Sequence, residues 1–430
     1  MKQPLKIGIA GLGTVGAGVV KLLAEHNRLL ALRGGRSLKL VAVSARSKAK
    51  KRDIDLSKVR WERDPMALAT APDVDVVVEL IGGAEGPARE LVLAAIAAGK
   101  QVVTANKALL AIHGTEIAAQ AEAAHVQLAF EAAVAGGIPV IKALREGLAG
   151  NRISKVVGIL NGTCNYILTK MRERGADFVD VLAEAQKLGY AEADPSFDVD
   201  GVDAAHKLAI LAALAFGRPV AFHDVHVEGI RRISALDIAF ATELGYRIKL
   251  LGIARETPAG VSARVHPCLV PVAHPIARVE GVFNAVVAVG DAVGQIMLEG
   301  RGAGAGPTAS AVVADLIDIA RGRVTPVWGA AAEALSAQPA VAIGALKGAY
   351  YLRLMVLDRP GVIADVTAAL RDSAVSLGAM LQHERAPGEA VPVVLVTHET
   401  SEEQMRAALD RIALLDTVLE EPALIRIEAG

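Results

Sequence analysis

The stretch LKIGIAGLGTVG, residues 5–16, joins a short apolar run to three glycines spaced as G-x-G-x-x-G. Apolar residues at helical spacing follow at once, at Val19, Val20, Leu22 and Leu23. A strand, a tight turn and a helix in this order place free backbone N–H groups and a helix N-terminus around a pyrophosphate. The stretch therefore predicts a dinucleotide-binding turn, and the alternative is a glycine turn with a structural role only.

The strands and helices that follow favour the dinucleotide interpretation. Apolar runs at 38–44, 74–80, 101–104 and 126–130 are separated in part by helical patterns at 87–98 and 115–124. This alternation predicts an α/β fold with a Rossmann doubly wound parallel sheet. The turn residues expected at the cofactor are Gly11, Leu12, Gly13, Thr14, Val15 and Gly16.

The end of the second strand indicates which dinucleotide binds. An acid there would bind the ribose 2′-OH of NAD, whereas an arginine accommodates the 2′-phosphate of NADP. The chain has Arg46 at this place, followed by Lys48, Lys50, Lys51 and Arg52. We expect NADP(H) to be preferred and NAD(H) to be possible, and the alternative is a solvated basic loop.

Composition narrows the classes of protein. The 430 residues suffice for two or three domains, each with its own core. A net charge of −1 creates no field that favours nucleic acid or an anionic membrane. Two cysteines fit neither a disulfide framework nor a zinc cluster, and no apolar run reaches the roughly 18 residues of a membrane span. We expect a cytoplasmic protein without nucleic-acid or membrane partners.

Residues 189–207, GYAEADPSFDVDGVDAAHK, concentrate five carboxylates and one lysine before a helical pattern. Asp203 and Lys207 are four residues apart and would share one helix face. A lysine held by an acid can deliver a proton to a bound substrate. Lys107, after the fourth strand, is a second candidate cation at the same edge of the sheet. The alternative is that these charges only solvate a loop and cap a helix.

Other reactive side chains favour structural interpretations. Cys164 has no histidine near it in sequence, so a buried thiol is favoured over a nucleophile. His223 and His226 have a metal-like spacing but lack further ligands, which favours surface residues.

Taken together, the motifs resemble the monofunctional homoserine dehydrogenases. The resemblance spans residues 5 to about 322 and runs through GLGTVG, VVTANKALL, EAAVAGGIP, GILNGTCNYIL, KLGYAEADPSFDVDGVDAAHKLAIL and GRGAGAGPTASAVVADL. It implies the reversible NAD(P)H-dependent reduction of L-aspartate 4-semialdehyde to L-homoserine, in threonine, methionine and isoleucine biosynthesis.

The resemblance also implies a role for particular residues. Lys207 would transfer the proton, and Lys107 would lie at the reacting carbonyl and the nicotinamide. Six residues would lie at the amino-acid substrate: Glu192, Asp203, Asp198, Tyr190, Thr163 and Gly162. The backbone of Gly189 and Gly304 would contact the cofactor. A monovalent cation, sodium, would be held by Glu131 and by the carbonyls of Val134, Gly136 and Ile138.

The expected domain order places catalysis before regulation. Residues 1–135 would form the Rossmann domain, completed by a helix at about 306–322, and 136–305 a catalytic and dimerisation domain with a mixed sheet. Residues 323–346 are rich in alanine, proline and glycine and are expected to form a flexible linker. Residues 347–430 would form a separate βαββαβ unit.

This last unit resembles an ACT domain, the small amino-acid-sensing module of biosynthetic enzymes, most clearly in its DRPG turn at 358–361. The resemblance implies inhibition by L-threonine and a homodimer or homotetramer. Two alternatives stay open: a catalytically silent NADP(H)-binding amino-acid sensor, and a dehydrogenase of a related amino-acid aldehyde.

Overall fold

Six parallel strands form the N-terminal sheet in a computed structural model that describes residues 3–383 and 386–429. The strands are β1 (Leu5–Ala10), β2 (Leu38–Ser44), β3 (Arg60–Glu62), β4 (Val76–Glu79), β5 (Gln101–Thr104) and β6 (Leu128–Ala129). The helices between them are α1 (Thr14–Glu25), α2 (Asn27–Gly34), α3 (Met66–Thr70), α4 (Pro87–Ala97) and α5 (Lys107–Ala123). The spatial order β3-β2-β1-β4-β5-β6 is that of dinucleotide-binding sheets.

Helix α5 is longer than the sequence pattern predicts. It begins at Lys107 instead of Thr115, because the side chain of Asn106 accepts a hydrogen bond from the Leu109 N–H at 3.1 Å and caps the first turn. This cap places Lys107 at the carboxyl end of β5, where parallel sheets bind ligands.

The middle of the chain builds a mixed sheet covered by helices. Its helices are α6 (Val140–Lys142), α7 (Gly162–Arg174), α8 (Phe178–Lys187), α9 (Ser196–Val199), α10 (Val202–Phe216) and α11 (Ala235–Glu243). Its strands are β7 (Ile153–Ile159), β8 (His226–Val227), β9 (Tyr246–Thr257), β10 (Gly260–Pro271), β11 (Phe283–Gly290) and β12 (Gly294–Arg301). Helix α10 is buried along most of its length because small and aliphatic residues surround its axis.

Helix α12 (Ala305–Arg321) returns to the first sheet and packs on α1. A Cβ added to Gly18 on α1 would lie 2.7 Å from the Ala305 carbonyl oxygen, so this close approach requires glycine. Its bounds lie close to those of the helix, about 306–322, that the sequence pattern predicts.

The C-terminal unit is made of β13 (Lys347–Leu357), α13 (Val362–Asp372), β14 (Leu377–Leu381), β15 (Ala390–Thr397), β16 (Thr400–Ser401), α14 (Glu402–Ile412) and β17 (Ala423–Ile427). Strands β14-β15-β13-β17 lie side by side, and β17 pairs in parallel with β10 through Cys268 with Arg426 and Leu269 with Ile427. The middle and C-terminal regions therefore share one sheet of 11 strands.

Residues 323–346 are not a free tether, which corrects the expectation of a flexible connection. Trp328 is 1% exposed, and its indole Nε1 donates to the Gly114 carbonyl at 3.3 Å. Further along, the Val261 N–H donates to the Pro339 carbonyl at 2.9 Å, and the Val341 N–H donates to the Val261 carbonyl at 3.0 Å. These contacts hold the segment against the middle of the chain. No helix of the described residues is long and apolar enough to cross a membrane.

Candidate active site

Two lysines from different helices share one buried carboxylate. Asp203, in the first turn of α10, is 3% exposed. Its Oδ2 accepts from Lys207 Nζ at 2.7 Å, and its Oδ1 lies 3.0 Å from Lys107 Nζ at the start of α5. Lys207 Nζ also donates to the Leu160 carbonyl at 2.7 Å. The two predicted catalytic lysines are thus brought together at the carboxyl end of β5.

Burial and charge set the protonation of this cluster. Burial lowers the pKa of Lys207, an effect that Asp203 opposes and Lys107 reinforces. Burial alone would raise the pKa of Asp203, but the charges of Lys207 and Lys107 hold it well below its ordinary value. Asp203 therefore stays ionised, while Lys207 releases its proton more readily than a lysine in water.

Asn161 fixes the position of the acidic side chains, a role that the sequence analysis did not assign. Its Oδ1 accepts from the Cys164 N–H at 2.8 Å and caps α7. Its Nδ2 donates to Asp198 Oδ1 at 2.8 Å and to Asp203 Oδ2 at 2.9 Å. Only its place in the polar turn after β7 could have indicated this role.

Asn284 contacts the Leu160 carbonyl, which is the second group that accepts a hydrogen bond from Lys207. Its Nδ2 donates to the Leu160 carbonyl at 3.0 Å, the same oxygen that accepts from Lys207. No sequence signal connects Asn284 to the lysine, because it is the pairing of β11 with β7 that brings Asn284 to the Leu160 carbonyl.

The predicted substrate residues around this cluster differ in burial and in hydrogen bonding. Burial raises the pKa of Asp198, although the Asn161 hydrogen bond opposes the shift. Thr163 Oγ1 donates to the Tyr190 carbonyl at 2.8 Å, which joins α7 to the loop after α8. A Cβ on Gly162 would lie 2.8 Å from the Val282 carbonyl oxygen, so the backbone approach needs glycine. Glu192 is exposed, and its carboxylate has no hydrogen bond to any residue that the structure describes.

A cavity of about 510 Å³ lies in another part of the molecule. The cavity that lies beside the glycine turn measures about 750 Å³. Gly11, Leu12 and Gly13 line it on one side, and Arg46 lines it at the end of β2. The first turn of α1 begins at Thr14, directly after Gly13, and Thr14, Val15 and Gly16 do not line the cavity. A Cβ on Gly16 would lie 2.0 Å from the Gly11 carbonyl oxygen, which explains the glycine spacing.

Arg52 holds the basic loop against the glycine turn. Its Nε donates to the Leu12 carbonyl at 2.9 Å, and its Nη1 donates to the Ser47 carbonyl at 3.0 Å. The loop that carries Arg46 is thereby placed at the cavity in advance of any ligand. Gly189 and Gly304, the other predicted cofactor contacts, have φ values of 75° and 121° that favour glycine.

Glu131 lies in a separate buried cluster behind the glycine-rich bend. It is 2% exposed, and its carboxylate accepts from the Ile141 and Lys142 N–H groups at 2.9 Å each. Burial and the nearby Asp315 raise the pKa of Glu131 to about 7. Lys142 Nζ lies 3.1 Å from Asp315 Oδ1, so Asp315 already has a cation, and Glu131 is the buried carboxylate that a small monovalent cation would suit.

The three carbonyl residues predicted for this cation lie beside Glu131 along the chain. A Cβ on Gly136 would lie 2.7 Å from the Gly302 carbonyl oxygen, so the bend is closely packed. The Ile138 carbonyl accepts from the Val140 N–H at 2.8 Å and keeps a second lone pair. Val134 is buried in the same bend.

Comparison with known proteins decides the family. Family models match in three segments: homoserine dehydrogenase over 139–317, the NAD-binding domain of homoserine dehydrogenase over 11–131, and the ACT domain over 350–414. A homoserine dehydrogenase of Pseudomonas aeruginosa is 48% identical over 433 residues, which cover 99% of each chain. The chain belongs to the homoserine dehydrogenase family.

Solved structures agree with this assignment. A homoserine dehydrogenase from Thiobacillus denitrificans has a TM-score of 0.93 at 48% identity, covering 99% of this chain and 98% of that one. A hyperthermophilic archaeal homoserine dehydrogenase, solved in complex with NADPH, has a TM-score of 0.63 at 30% identity, covering 73% of this chain and 97% of that one.

The protein is therefore an oxidoreductase of amino-acid biosynthesis with homoserine dehydrogenase activity, EC 1.1.1.3. The predicted Rossmann sheet, mixed-sheet catalytic domain and C-terminal ACT domain are confirmed. The alternatives of a silent sensor and of a dehydrogenase for another amino-acid aldehyde are not supported.

The structure shows the surroundings of the side chains for which the sequence analysis favoured structural roles. Cys164 is fully buried, and burial raises the pKa of its thiol well above the usual value. His226 Nε2 pairs with Glu228 Oε1 at 2.7 Å. Across residues 3–383 and 386–429, no group of three or more His, Cys, Asp or Glu side chains could hold a metal ion.

Proposed function

We propose that Lys207 transfers the proton when L-aspartate 4-semialdehyde and L-homoserine interconvert, with Lys107 beside the reacting carbonyl. The observation that carries this proposal is the shared Asp203 carboxylate, 2.7 Å from one ammonium and 3.0 Å from the other. Asp203 stays ionised and keeps both lysines directed at one point of the site.

The geometry supports a simple proton path. The bound nicotinamide supplies or accepts the hydride. During reduction the carbonyl oxygen gains negative charge, and Lys207 Nζ gives it a proton as the charge develops. During oxidation the neutral amine of Lys207 takes the hydroxyl proton. The lowered pKa of Lys207 makes this second step available nearer neutral pH than for an ordinary lysine.

Carboxylates around the cluster suit the ammonium group of the amino-acid substrate. Asp198 is a partly buried acid whose pKa is raised by that burial, so a cation beside it would lower the cost of its charge. Glu192 is exposed and free to close over the same group. The proposed substrate set is Glu192, Asp203, Asp198, Tyr190, Thr163 and Gly162.

A preference for NADP(H) over NAD(H) rests on the basic loop. Arg46, Lys50 and Arg52 line the cavity where the 2′-phosphate would lie, and Arg52 already ties that loop to the glycine turn. The turn residues, Gly11 to Gly16, would hold the pyrophosphate, and the backbone of Gly189 and Gly304 would contact the rest of the cofactor.

A sodium ion at Glu131, with the carbonyls of Val134, Gly136 and Ile138, would neutralise one of two buried carboxylates at the junction of the proposed domains. Such an ion would hold the bend in place and take no part in the chemistry. The same junction supports the proposed division into 1–135 and 136–305, with 347–430 as the regulatory domain.

We further infer that L-threonine acts through the ACT domain, that the protein is a homodimer or homotetramer, and that it works in the cytoplasm. Feedback by the pathway product accounts for an ACT domain behind a complete catalytic region.

Absorbance at the nicotinamide band tests the proton assignment. Homoserine oxidation should rise as pH rises through the pKa of Lys207, because the base form is required, while aldehyde reduction should fall over the same range. Parallel pH profiles in the two directions would remove Lys207 from this role.

A further inference from the structure

Three aromatic side chains lie in a row beside the active-site lysines. Phe197 comes from α9, His206 from α10, and Phe222 from the 3₁₀ turn that follows α10. The ring centroids of Phe197 and His206 are 5.5 Å apart, and those of His206 and Phe222 are 4.4 Å apart. Both pairs are close to edge-to-face, an arrangement that the ring quadrupoles favour. We call these three residues the aromatic row.

The aromatic row ends at the ammonium group of Lys107. Lys107 Nζ lies 5.6 Å from the centroid of the Phe197 ring, within the range of a cation–π contact. The same nitrogen lies 3.0 Å from Asp203 Oδ1. The Lys107 side chain is 34% exposed, and a long side chain of this kind loses many rotamers when it is held in one place. The Phe197 ring therefore adds a second contact that keeps Lys107 at the carboxylate.

His206 is the centre of the aromatic row. It follows Asp203 by three residues on α10, so the two side chains share one face of the helix. His206 is 7% exposed, and its Nδ1 has no hydrogen-bond partner within residues 3–383 and 386–429. Packing against the rings of Phe197 and Phe222 is what holds the imidazole in this place.

The charge of His206 matters because both lysines are near it. Burial lowers the pKa of His206, Asp203 opposes the shift, and the charges of Lys107 and Lys207 reinforce it. A protonated imidazole would repel both ammonium groups. A neutral ring can pack against Phe197 without weakening the ion pairs of Asp203.

Helix α9 is anchored at the residues next to Phe197. Asp198 Oδ1 accepts from Asn161 Nδ2 at 2.8 Å, and the Ile230 N–H donates to the Val199 carbonyl at 2.9 Å. A helix of four residues is not stable by itself, so these contacts fix its backbone. Phe197 is 43% exposed, and its contact with His206 is what directs the ring toward Lys107.

The position of Lys107 affects the proton-transfer lysine. Burial lowers the pKa of Lys207, the charges of Asp203 and Asp198 raise it, and the charge of Lys107 lowers it further. If Lys107 moved away, Asp203 would act on Lys207 alone, and the pKa of Lys207 would rise. A contact that keeps Lys107 on Asp203 therefore keeps the base form of Lys207 available at lower pH.

We propose that Phe197 and His206 are positioning residues for the reaction: His206 holds the Phe197 ring, and that ring holds the Lys107 ammonium on Asp203. Neither ring takes part in hydride or proton transfer. This inference rests on the proposed roles of Lys107 and Lys207, and it adds the side chains that keep one lysine beside the other.

The test uses variants of the full-length protein. Phe197→Leu removes the ring and keeps an apolar side chain, Phe197→Tyr keeps the ring, and His206→Leu removes its support. The matched control is Phe283→Leu on β11, apart from the aromatic row. Phe283 is 37% exposed, and the Arg301 guanidinium lies 5.5 Å from its ring centroid, so this control also removes a ring beside a cation.

Steady-state kinetics of homoserine oxidation give the first readout. Turnover should fall about tenfold in Phe197→Leu, the order expected when a cation–π contact to a reacting group is lost, and by less in His206→Leu. Phe197→Tyr and Phe283→Leu should keep the native kcat, and the dissociation constant of NADP should change little in all four variants.

Two further readouts report on Lys107 itself. In Phe197→Leu, the rise of kcat with pH should move to higher pH, because Lys207 keeps its proton longer when Lys107 is displaced. A crystal structure of that variant without ligands should show Lys107 Nζ farther from Asp203 Oδ1 than the 3.0 Å of the native chain.

The double variant Phe197→Leu/Lys107→Met tests the link between the two residues. If Phe197 acts through Lys107, the double variant should have the same kcat as Lys107→Met alone. Three results would overturn the proposal: native kcat and pH profile in Phe197→Leu, an equal loss in Phe197→Tyr, or losses that multiply in the double variant.

Thermal unfolding checks that each variant is folded, and the exposed Phe197 position decides the question if His206→Leu does not fold. Near-native turnover in Lys107→Met would contradict the proposed role of Lys107 itself. Loss of turnover in Lys107→Met together with native behaviour in Phe197→Leu would remove only the positioning role, so the two failures are distinguishable.

Discussion

The N-terminal sheet and the sheet of 11 strands are built in opposite ways. The first takes all its strands from the continuous stretch 5–129, and all neighbouring strands are parallel. The second joins β10 to β17, so that Cys268 lies opposite Arg426. The first is a local product of its sequence, whereas the second depends on a contact between distant segments.

Buried polar groups lie along the seam of the second sheet, which is the contact between the middle region and the C-terminal region. Asp237 is fully buried on α11 and accepts from Tyr351 Oη at 3.1 Å and from Arg353 Nε at 2.7 Å on β13. Arg426 on β17 pairs with Glu228 and with Glu402. Removal of one partner from such a pair leaves an uncompensated buried charge, so single changes at the seam should be costly.

The largest effect on activity is expected from a change at Lys207, in the active site to which both regions contribute a lysine. Lys207→Met removes the proton donor, so turnover should fall by about 10² to 10⁴ while NADP binding changes little. Steady-state kinetics and cofactor titration measure both quantities. The control is Lys187→Met, an exposed lysine on α8. Near-native turnover in Lys207→Met would place proton transfer elsewhere.

The seam predicts the next effect, on stability. Arg353→Met leaves the buried Asp237 carboxylate without its cation and should lower the free energy of unfolding by about 3–5 kcal/mol. Urea denaturation measures the loss. The exposed pair of Arg371 with Asp372 supplies the control, since Arg371→Met should cost at most about 1 kcal/mol. Similar losses in both variants would mean that the seam is no stronger than a surface contact.

In the N-terminal sheet, a change at the cofactor cavity should weaken cofactor binding but leave the stability of the fold unchanged. Arg46→Ala should weaken NADP binding by about 1.5–3 kcal/mol and leave NAD almost unchanged, because only NADP carries the 2′-phosphate. Lys48→Ala, in the same loop but outside the cavity lining, is the matched control. Calorimetric titration with both cofactors measures the difference, and equal losses for NADP and NAD would assign Arg46 a structural role.

The smallest effect concerns Glu131, at the junction of the two sheets. Its pKa is raised from 4.5 to about 7, so the folded state keeps a proton that the unfolded state has lost between these values. The contribution of Glu131 to stability is therefore present below the lower value and is lost as pH rises through the higher one. A sodium ion would compete with that proton and stabilise the protein chiefly at alkaline pH.

Sodium at tenfold its dissociation constant should add about 1.4 kcal/mol at about pH 8 and much less at about pH 5.5. Thermal unfolding in sodium chloride and in choline chloride separates this from ionic strength. Glu131→Gln should remove the difference between the salts. A sodium effect that persists in that variant would locate the ion at another site.

Much of the first sheet follows from sequence alone. The predicted strand at 38–44 has the bounds of β2, and the glycine spacing follows from close contacts such as that of Gly16 with the Gly11 carbonyl. Asp203 and Lys207 were predicted to pair because their spacing of four residues is fixed by helix geometry. Local backbone geometry carries these predictions.

The rest was decided by tertiary structure. Lys107 meets Asp203 across two helices, Asn161 bridges Asp198 and Asp203, and β17 pairs with β10. The segment 323–346 has the composition of a linker, yet Trp328 fills a buried place beside Gly114. No periodic pattern in the sequence predicts these contacts, because each depends on how distant elements pack. The sequence determined the elements and their chemistry, and only the packing determined which charges share one site and which strands share one sheet.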